Sequence, residues 1–251
     1  MCKRINILGS PMDSMTMEQS ITRCLEWCAD EHPARTLITL NASILMMMRG
    51  NQALHDACTS GDVIVPDGVP MVWASHLLGT PLAGRVAGVE LMQRLFEASH
   101  RERLRIFLLG AKQEVIDTLQ SICADQYPGM VIAGVRNGYF NESMYPEVIR
   151  QIRESQSDIL FIGMPTPFKE TWGERHRDEF NTSVIIGVGG SFDVVAGFVK
   201  RAPVWMQKAG MEWFWRLMME PRKLWKRYLV TNSQFLYYLG LEVVRRRLLR
   251  R

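Results

Sequence analysis

The segment VIVPDGVPMVWAS (residues 63–75) predicts the unit from which the fold is built. Three β-branched residues at its start suit a short buried strand. Two prolines and a glycine interrupt that strand, and the apolar positions of residues 69–78 then follow helical spacing. Asp67 therefore lies in a strand-to-helix turn. In α/β proteins such turns stand at the carboxyl edge of the sheet, where ligands bind.

Two roles for Asp67 are open from its position alone. An aspartate just before an apolar helix often caps the free N–H groups of the first turn. A carboxylate at the ligand-binding edge of a sheet can instead take part in catalysis. The position does not separate these two interpretations.

The same alternation of strand and helix continues to about residue 200. The predicted strands are residues 5–8, 36–40, 63–65, 104–109, 130–135, 159–163 and 184–188. The predicted helices are residues 15–29, 43–58, 69–78, 89–98, 112–126 and 144–154. Regular alternation predicts an α/β fold in which a mostly parallel sheet has helices on both faces.

Two further turns have the composition of ligand-binding loops. In RIFLLGAKQEV (residues 105–115) a strand ends at Gly110 and a helix begins at once, which leaves N–H groups free for a phosphate. In VIIGVGGSFDVVAG (residues 184–197) a strand runs into three glycines before a helix near Ser191, so a ligand can approach the backbone closely. Neither is a complete dinucleotide or P-loop motif. Together with Asp67 they predict a binding site along one edge of the sheet.

The last fifth of the chain differs in composition from the rest. Residues 201–251 contain 12 Lys or Arg against 3 Asp or Glu, and four of the seven tryptophans. Strand patterns end before this segment. We therefore predict two parts: an α/β body (residues 1–200) and a basic, aromatic, helical segment (residues 201–251).

The composition excludes several classes of protein. No stretch approaches the roughly 20 apolar residues of a membrane-spanning helix, and the N-terminal residues do not resemble a secretion signal. The five cysteines are scattered, which is typical of reduced thiols in a cytosolic protein. We expect a cytoplasmic protein.

The basic C-terminal segment has two interpretations. Its end, RRRLLRR (residues 245–251), resembles a nucleic-acid-binding arm. However, apolar and aromatic residues alternate with the basic ones at helical spacing, which favours an anionic membrane surface and no nucleic acid. The residues predicted to contact lipid are Trp225, Tyr228, Phe235, Tyr237, Tyr238, Lys223, Lys226, Arg227 and residues 245–247.

Motifs along nearly the whole chain resemble those of one enzyme family. They are TLNAS (39–43), VPDGVPMVWAS (65–75), GRVAGVELM (84–92), FLLGAK (107–112), NGYF (137–140), GVGGSFDVVAG (187–197), VKRAPVWMQKAGMEWFWRL (199–217) and EPRKLWKRYL (220–229). Their order and spacing are similar to those of the WecG/TagA/CpsF glycosyltransferases (glycosyltransferase family 26).

This resemblance implies a Rossmann-like fold with a C-terminal, membrane-binding appendage that completes the active site. It implies a hexosyltransferase that moves a sugar from a UDP-sugar to a polyprenyl-diphosphate-linked saccharide, with inversion and without a metal or other cofactor. The expected pathway is cell-surface or exopolysaccharide biosynthesis, on the inner face of the bacterial plasma membrane. A homo-oligomer is left open.

The resemblance also implies roles for single residues. Asp67 matches the general base that takes the proton from the acceptor hydroxyl. Thr39, Asn41 and Arg85 match residues of the same catalytic pocket. Arg216 matches an appendage arginine that reaches the diphosphate, where a guanidinium can replace Mg²⁺. The positions predicted to bind substrate or UDP are Gly110, Lys112, Lys169, Gly189, Gly190, Ser191, Asp193, Arg216, Lys223 and Lys226.

The chain departs from the family pattern at several of these positions. Lys169 stands where many relatives have a glutamine, and a lysine there can pair with a phosphate or a sugar carboxylate. Lys223 and Lys226 replace arginines, and Glu90 replaces an aspartate. These changes predict a donor or acceptor different from that of the teichoic-acid enzymes.

A metal-free reaction also agrees with the motif content of the chain. No Asp-x-Asp pair, the usual holder of a divalent ion on a nucleotide-sugar, occurs in the sequence. The alternative function is that of a nucleotide-binding, Rossmann-type epimerase or oxidoreductase. The chain has neither the GxGxxG fingerprint nor the Tyr-x-x-x-Lys pair of such enzymes.

Overall fold

The computed structural model describes residues 3–30 and 33–249, except for the side chains of Lys223 and Leu249. Its strands are β1 (Arg4–Ile7), β2 (Ser10–Asp13), β3 (Arg35–Leu40), β4 (Val63–Pro66), β5 (Arg105–Gly110), β6 (Val131–Arg136), β7 (Ile159–Gly163) and β8 (Val184–Gly187). Its helices are α1 (Met17–Ala29), α2 (Ala42–Met48), α3 (Gln52–Thr59), α4 (Val69–Leu77), α5 (Gly88–Glu102), α6 (Gln113–Gln126), α7 (Tyr145–Ser155), α8 (Phe168–Arg175), α9 (Ser191–Val195), α10 (Val204–Lys208), α11 (Glu212–Met219) and α12 (Pro221–Leu249).

Six of the strands form one parallel sheet in the order β4-β3-β8-β7-β5-β6. Alternate residues of each strand point to opposite faces of the sheet. Because consecutive strand residues are apolar, both faces are apolar and both are covered by helices. Leu37 and Phe161 pack under α1, α5 and α6, whereas Ile38 and Ile64 pack under α2, α3 and α4. The predicted α/β fold, with a mostly parallel sheet between helical layers, is confirmed.

The first predicted strand lies outside this sheet. β1 pairs with β2 in a separate antiparallel hairpin. The guanidinium of Arg4 donates two hydrogen bonds of 2.8 Å to the Asp13 carboxylate, which also accepts one from the N–H of Ile64 at 2.9 Å. The Asp13 side chain therefore attaches the hairpin to the sheet edge at β4, in place of backbone hydrogen bonds between strands.

One predicted helix is two helices. Residues 43–58 follow a single helical pattern, but α2 ends at Met48 and α3 begins at Gln52. The Asn51 side chain accepts a hydrogen bond of 3.0 Å from the N–H of Leu54 and so caps the start of α3. Strand β2 and helix α8 were not predicted.

The C-terminal helix α12 packs against the body. Phe235 and Leu239 are buried in the core that contains α2 and α4. Arg246 donates a hydrogen bond of 2.7 Å to the carbonyl at the end of α4, and the Arg49 guanidinium lies 3.9 Å from the centre of the Tyr238 ring. Within residues 3–30 and 33–249, no helix is both long and apolar enough to cross a membrane. The boundary at residue 201 stays a prediction.

Candidate active site

Three turns with predicted site residues stand side by side at the carboxyl edge of the sheet. Asp67 follows β4, Asn41 follows β3, and the glycine-rich turn of residues 187–191 follows β8. Because β4, β3 and β8 are neighbours and adjacent strands lie about 4.8 Å apart, these turns fall within about 10 Å of one another. The turn at Gly110 follows β5, two strands beyond β8.

Asp67 does not cap the helix that follows it. The N-cap of α4 is Gly68, with φ +123°, and no side chain caps this helix. The backbone N–H of Asp67 donates to the carbonyl of Leu40 at 2.9 Å, which fixes the turn against β3. In the part of the chain that the structure describes, the Asp67 carboxylate has no hydrogen-bond or ion-pair partner. It is therefore free to accept a proton.

The surroundings of Asp67 change its acidity. Burial of the carboxyl group raises its pKa above the ordinary value, and the negative charge of Glu212 raises this pKa further. The positive charges of Arg216, Arg85 and Lys169 lower the pKa and offset part of the increase. A carboxylate with a raised pKa is a stronger base than an ordinary aspartate.

Arg216 joins the C-terminal segment to the glycine-rich turn. A Cβ atom placed on Gly190 would lie 3.7 Å from Nη2 of Arg216. Gly189, next to it, has φ +54°. Among the described residues, no carboxylate pairs with the Arg216 guanidinium. The structure thus brings an unpaired cation to the turn after β8, close enough to Asp67 to influence its pKa.

Two hydroxyl groups flank the start of α5 beside this turn. A Cβ atom on Gly88 would lie 3.7 Å from Oγ1 of Thr39 and 3.8 Å from Oγ of Ser191. Thr39 donates a long hydrogen bond of 3.4 Å to the carbonyl of Gly187, and Ser191 donates one of 2.7 Å to that of Val188. Both residues are buried, and the roles predicted for them stay predictions.

Asn41 and Asp193 stand at the starts of helices. The Asn41 side-chain oxygen caps α2 by accepting from the N–H of Ile44 at 3.0 Å, which leaves its amide N–H groups available to a ligand. Asp193 is half-buried in the first turn of α9, and its backbone carbonyl accepts from Val199 at 3.0 Å. The roles predicted for both stay predictions.

Lys169 lies beneath the glycine-rich turn rather than in open solvent. Its side chain is buried and forms an ion pair with the buried Glu170. A Cβ atom on Gly187 would lie 3.2 Å from Cδ and 3.3 Å from Nζ of this lysine. Glu170 therefore balances the charge of Lys169 from within α8, and the predicted contact of Lys169 with a phosphate or a sugar carboxylate stays a prediction.

The turn at Gly110 packs closely against two glycines that were not predicted, Gly163 and Gly138. Gly110 has φ +132°, and a Cβ atom there would lie 2.5 Å from the carbonyl carbon of Gly163. Gly138 packs on the same turn, against Ala111. The chain leaves β5 and β7 in opposite directions, and in α/β sheets such a point at the carboxyl edge is where ligands bind. Gly138 belongs to the NGYF motif (residues 137–140), which could have identified it as a residue of the site.

The predicted lysines at the rim are exposed or lie outside the described side chains. Nζ of Lys112 lies 3.6 Å from Oε1 of Glu114. Lys226 is exposed on α12, and the side chain of Lys223 is outside the described residues. Their contacts with UDP or the acceptor stay predictions.

Part of the predicted lipid-contacting set was wrong. Trp225 is 55% exposed and Tyr237 is 63% exposed, as a lipid contact requires. Tyr228 is only 7% and Phe235 only 5% exposed, and Tyr238 is half-buried. These three rings pack against the protein because α12 lies on α2 and α11.

Arg85 is held by a residue that the sequence did not identify. The Nη1 group of Arg85 donates a hydrogen bond of 3.1 Å to Oε2 of Glu212 on α11. The loop before α5 is anchored by the N–H of Val86, which donates to the carbonyl of Pro66 at 2.8 Å. Arg85 therefore stands beside the residue that follows Pro66, which is Asp67.

Comparison with known proteins gives one consistent result. The model of the glycosyl transferase WecG/TagA/CpsF family matches residues 5–249. The N-acetylglucosaminyldiphosphoundecaprenol N-acetyl-beta-D-mannosaminyltransferase of Bacillus subtilis (strain 168) is 36% identical over 200 residues, which are 80% of this chain and 77% of the relative. The protein of the same name from Staphylococcus aureus (strain MW2) is 34% identical over 225 residues, 89% of this chain and 86% of the relative.

Proposed function

The chain belongs to the WecG/TagA/CpsF family of glycosyltransferases, and from this membership and the geometry of the cleft we propose an inverting, metal-independent reaction. It moves a sugar from a UDP-sugar to a polyprenyl-diphosphate-linked saccharide. The acceptor class follows from the relatives, whose names specify transfer onto N-acetylglucosaminyldiphosphoundecaprenol. The single observation behind the proposal is that the Asp67 carboxylate stands beside the Arg216 guanidinium, and that neither has an ion-pair partner among the described residues.

Asp67 acts as the general base in this reaction. Its carboxylate takes the proton from the acceptor hydroxyl while that oxygen forms a bond to the anomeric carbon of the donor. The bond between the anomeric carbon and the UDP oxygen breaks, and UDP leaves with the electron pair. Attack from the side opposite UDP inverts the configuration. The raised pKa of Asp67 makes it a better proton acceptor for this step.

Arg216 and Arg85 stabilise the departing diphosphate. Negative charge develops on the phosphate oxygens as UDP leaves, and fixed cations near that charge lower the barrier. A guanidinium can meet two phosphate oxygens at once. Because Arg216 lies against Gly190 and has no carboxylate partner within residues 3–30 and 33–249, it can bind the diphosphate in place of a metal ion.

The appendage also docks the enzyme on the inner face of the plasma membrane. The diphosphate of a lipid-linked acceptor lies at the headgroup level, so the cleft must be brought to the bilayer surface. The exposed Trp225 and Tyr237 supply apolar contact, and the exposed Lys226 supplies positive charge. Each basic residue near an anionic surface contributes about 1 kcal/mol, so several are enough for peripheral binding.

A donor screen tests the proposed reaction. The full-length protein is incubated with a panel of UDP-sugars and a short-chain prenyl-diphosphate N-acetylglucosamine, and the products are identified by mass spectrometry and NMR. We expect one glycosidic bond to form, with inversion at the anomeric carbon. Failure with every donor, together with epimerisation of the UDP-sugar or oxidation by a nicotinamide cofactor, would instead support the alternative class.

A further inference from the structure

Four charged side chains link the appendage to the body beside the cleft. Arg85 and Glu90 belong to the body, at the start of α5, and Arg201 and Glu212 belong to the C-terminal segment. We refer to these four residues as the appendage clamp. Arg85 Nη1 lies 3.1 Å and Nη2 lies 4.0 Å from the carboxylates of Glu212 and Glu90. Arg201 lies 3.6 Å from Glu90 and 3.8 Å from Glu212.

Positive and negative charges alternate around the clamp. Each guanidinium faces both carboxylates, so the four charges cancel within one cluster. All four side chains are partly shielded from solvent, which strengthens their interaction relative to exposed pairs. The Nε and Nη2 groups of Arg201 are buried and have no hydrogen-bond partner among the described residues. Loss of one carboxylate would leave both guanidinium groups to share the other, so one positive charge would have no compensation in the cluster.

Glu212 is the member of the clamp that connects it to the reaction. It lies on α11 four residues before Arg216, so both side chains project from one face of the helix. One end of this face binds Arg85, and the other lies against Gly190. The contact of Glu212 with Arg85 therefore joins α11 to the loop before α5, on the helix face that also carries Arg216.

We propose that Glu212 is a positioning residue, which holds Arg85 in the cleft and fixes α11 so that Arg216 reaches the glycine-rich turn. This inference rests on the proposed function, because it assigns Arg85 and Arg216 to the departing diphosphate. Glu212 is not the base: its carboxylate is engaged by Arg85, whereas that of Asp67 has no partner among the described residues.

The charge of Glu212 beside Asp67 has a specific signature in the pH profile. The charged groups that face Asp67 are Glu212 and Arg216 from α11, Arg85 from the loop before α5, and Lys169 from α8. Since Glu212 raises the pKa of Asp67, loss of its charge lowers that pKa. The acidic limb of the profile of kcat/KM against pH then moves to lower pH. A residue that stabilises the fold at a distance from Asp67 would not move this limb.

The test compares three variants with the wild-type, full-length enzyme and a donor from the screen. Glu212→Gln removes the charge, Glu212→Asp keeps it, and Glu154→Gln removes an exposed, ion-paired carboxylate from α7 as the matched control. We expect Glu212→Gln to lose between about 10- and 100-fold in kcat, with its acidic limb at lower pH. Glu212→Asp should recover part of kcat and keep the wild-type limb, and Glu154→Gln should behave as wild type. Wild-type kcat and an unmoved limb in Glu212→Gln would overturn the proposal.

A second measurement separates this inference from the proposed reaction. Hydrogen exchange of the α11 amides and the Kd for UDP can both be measured without any transfer. We expect faster exchange in α11 and weaker UDP binding in Glu212→Gln, but not in Glu154→Gln. If both quantities are unchanged, the positioning role is wrong even if the enzyme transfers sugar. If both change and no donor is transferred, the proposed reaction fails and the clamp stands.

Discussion

The guanidinium of Arg216 lies against Gly190, where a Cβ atom would stand 3.7 Å from its Nη2 group. One residue belongs to helix α11 of the C-terminal segment, and the other belongs to the turn after β8 at the centre of the parallel sheet. A diphosphate bound at this turn would therefore contact both parts of the chain. The proposed leaving group sits where the appendage meets the body.

Replacing Arg216 with alanine should slow transfer even when the acceptor is soluble. The variant loses the guanidinium that stabilises the departing UDP, and we expect a decrease in kcat of about 10²–10³-fold. The kcat of Arg216→Lys should lie between those of the wild type and Arg216→Ala, because lysine keeps the charge but lacks the planar guanidinium. Arg222→Ala, an exposed arginine in the first turn of α12, is the control. Full activity of Arg216→Ala on the soluble acceptor would exclude Arg216 from catalysis.

Gly110→Ala should destabilise the protein strongly. The φ of +132° is accessible to glycine, and a Cβ atom there would lie 2.5 Å from the carbonyl carbon of Gly163. Backbone strain and overpacking together should lower the free energy of unfolding by about 2–4 kcal/mol. Chemical denaturation measures this change. Gly240→Ala is the control, since among the described residues no side chain and no neighbouring element lies within 4 Å of its Cβ position in α12. If the two variants have the same free energy of unfolding, the turn at residue 110 accommodates the added methyl group and the prediction is wrong.

Asp67→Asn should be more stable than the wild type near neutral pH. The folded-state pKa of Asp67 is raised, so the ionised carboxylate destabilises the folded protein above that pKa. Asparagine removes this penalty. The advantage should shrink as the pH falls through the folded-state pKa, because the wild-type carboxyl group then becomes neutral too. Thermal unfolding between pH 7.5 and 4.5 measures the difference in Tm, with Asp125→Asn as an exposed control. A lower Tm for Asp67→Asn at pH 7.5 would contradict the raised pKa.

Exposed side chains of α12 should determine binding to anionic vesicles. Trp225→Ala and Tyr237→Ala should reduce the part of the binding that resists salt, and Lys226→Gln should reduce the salt-sensitive part by about fivefold. Tyr139→Ala, an exposed aromatic residue after β6, is the control. Co-sedimentation measures all four. No binding of the wild-type protein to anionic vesicles would contradict the docking proposal.

Truncation of the C-terminal helix would test a different property. Removing residues 231–251 takes the buried Phe235 and Leu239 out of the core shared with α2 and α4. Loss of two buried side chains destabilises the body itself. Point substitutions at exposed positions therefore separate membrane binding from folding, whereas the truncation does not.

Transfer should persist without divalent metal. We expect Arg216 and Arg85 to supply the positive charge that a bound cation supplies in other glycosyltransferases. The measurement is the initial rate after exhaustive EDTA treatment, compared with the rate after addition of Mg²⁺ or Mn²⁺. We expect the two rates to agree within about twofold. Activity that disappears with EDTA and returns with either ion would show that the reaction needs a metal.

The sequence alone was sufficient to predict the strands of the parallel sheet and the turns at its carboxyl edge. Strand and helix patterns are local, so residues 63–75 predict a strand, a turn and a helix without knowledge of the rest of the chain. The capping of α3 by Asn51 depends on one side chain inside a continuous helical pattern, and the pattern does not show it.

Contacts between distant parts of the chain could not be predicted. Helical spacing shows that Tyr228 and Phe235 share a face, but it does not show whether protein or lipid covers that face. In the structure protein covers both. Glu212 and Arg85 are 127 residues apart, and their ion pair depends on how α11 folds back on the body. The motif of residues 199–217 contains Glu212, but it does not indicate that Glu212 pairs with Arg85.

The most direct test of the account is the turnover of Asp67→Asn in the assay with a soluble acceptor. The variant keeps the size of the side chain but cannot take the proton from the acceptor hydroxyl. We predict that it binds UDP with the wild-type Kd and loses between about 10² and 10⁴-fold in kcat. Turnover close to that of the wild type, with UDP binding intact, would contradict the assignment of Asp67 as the general base.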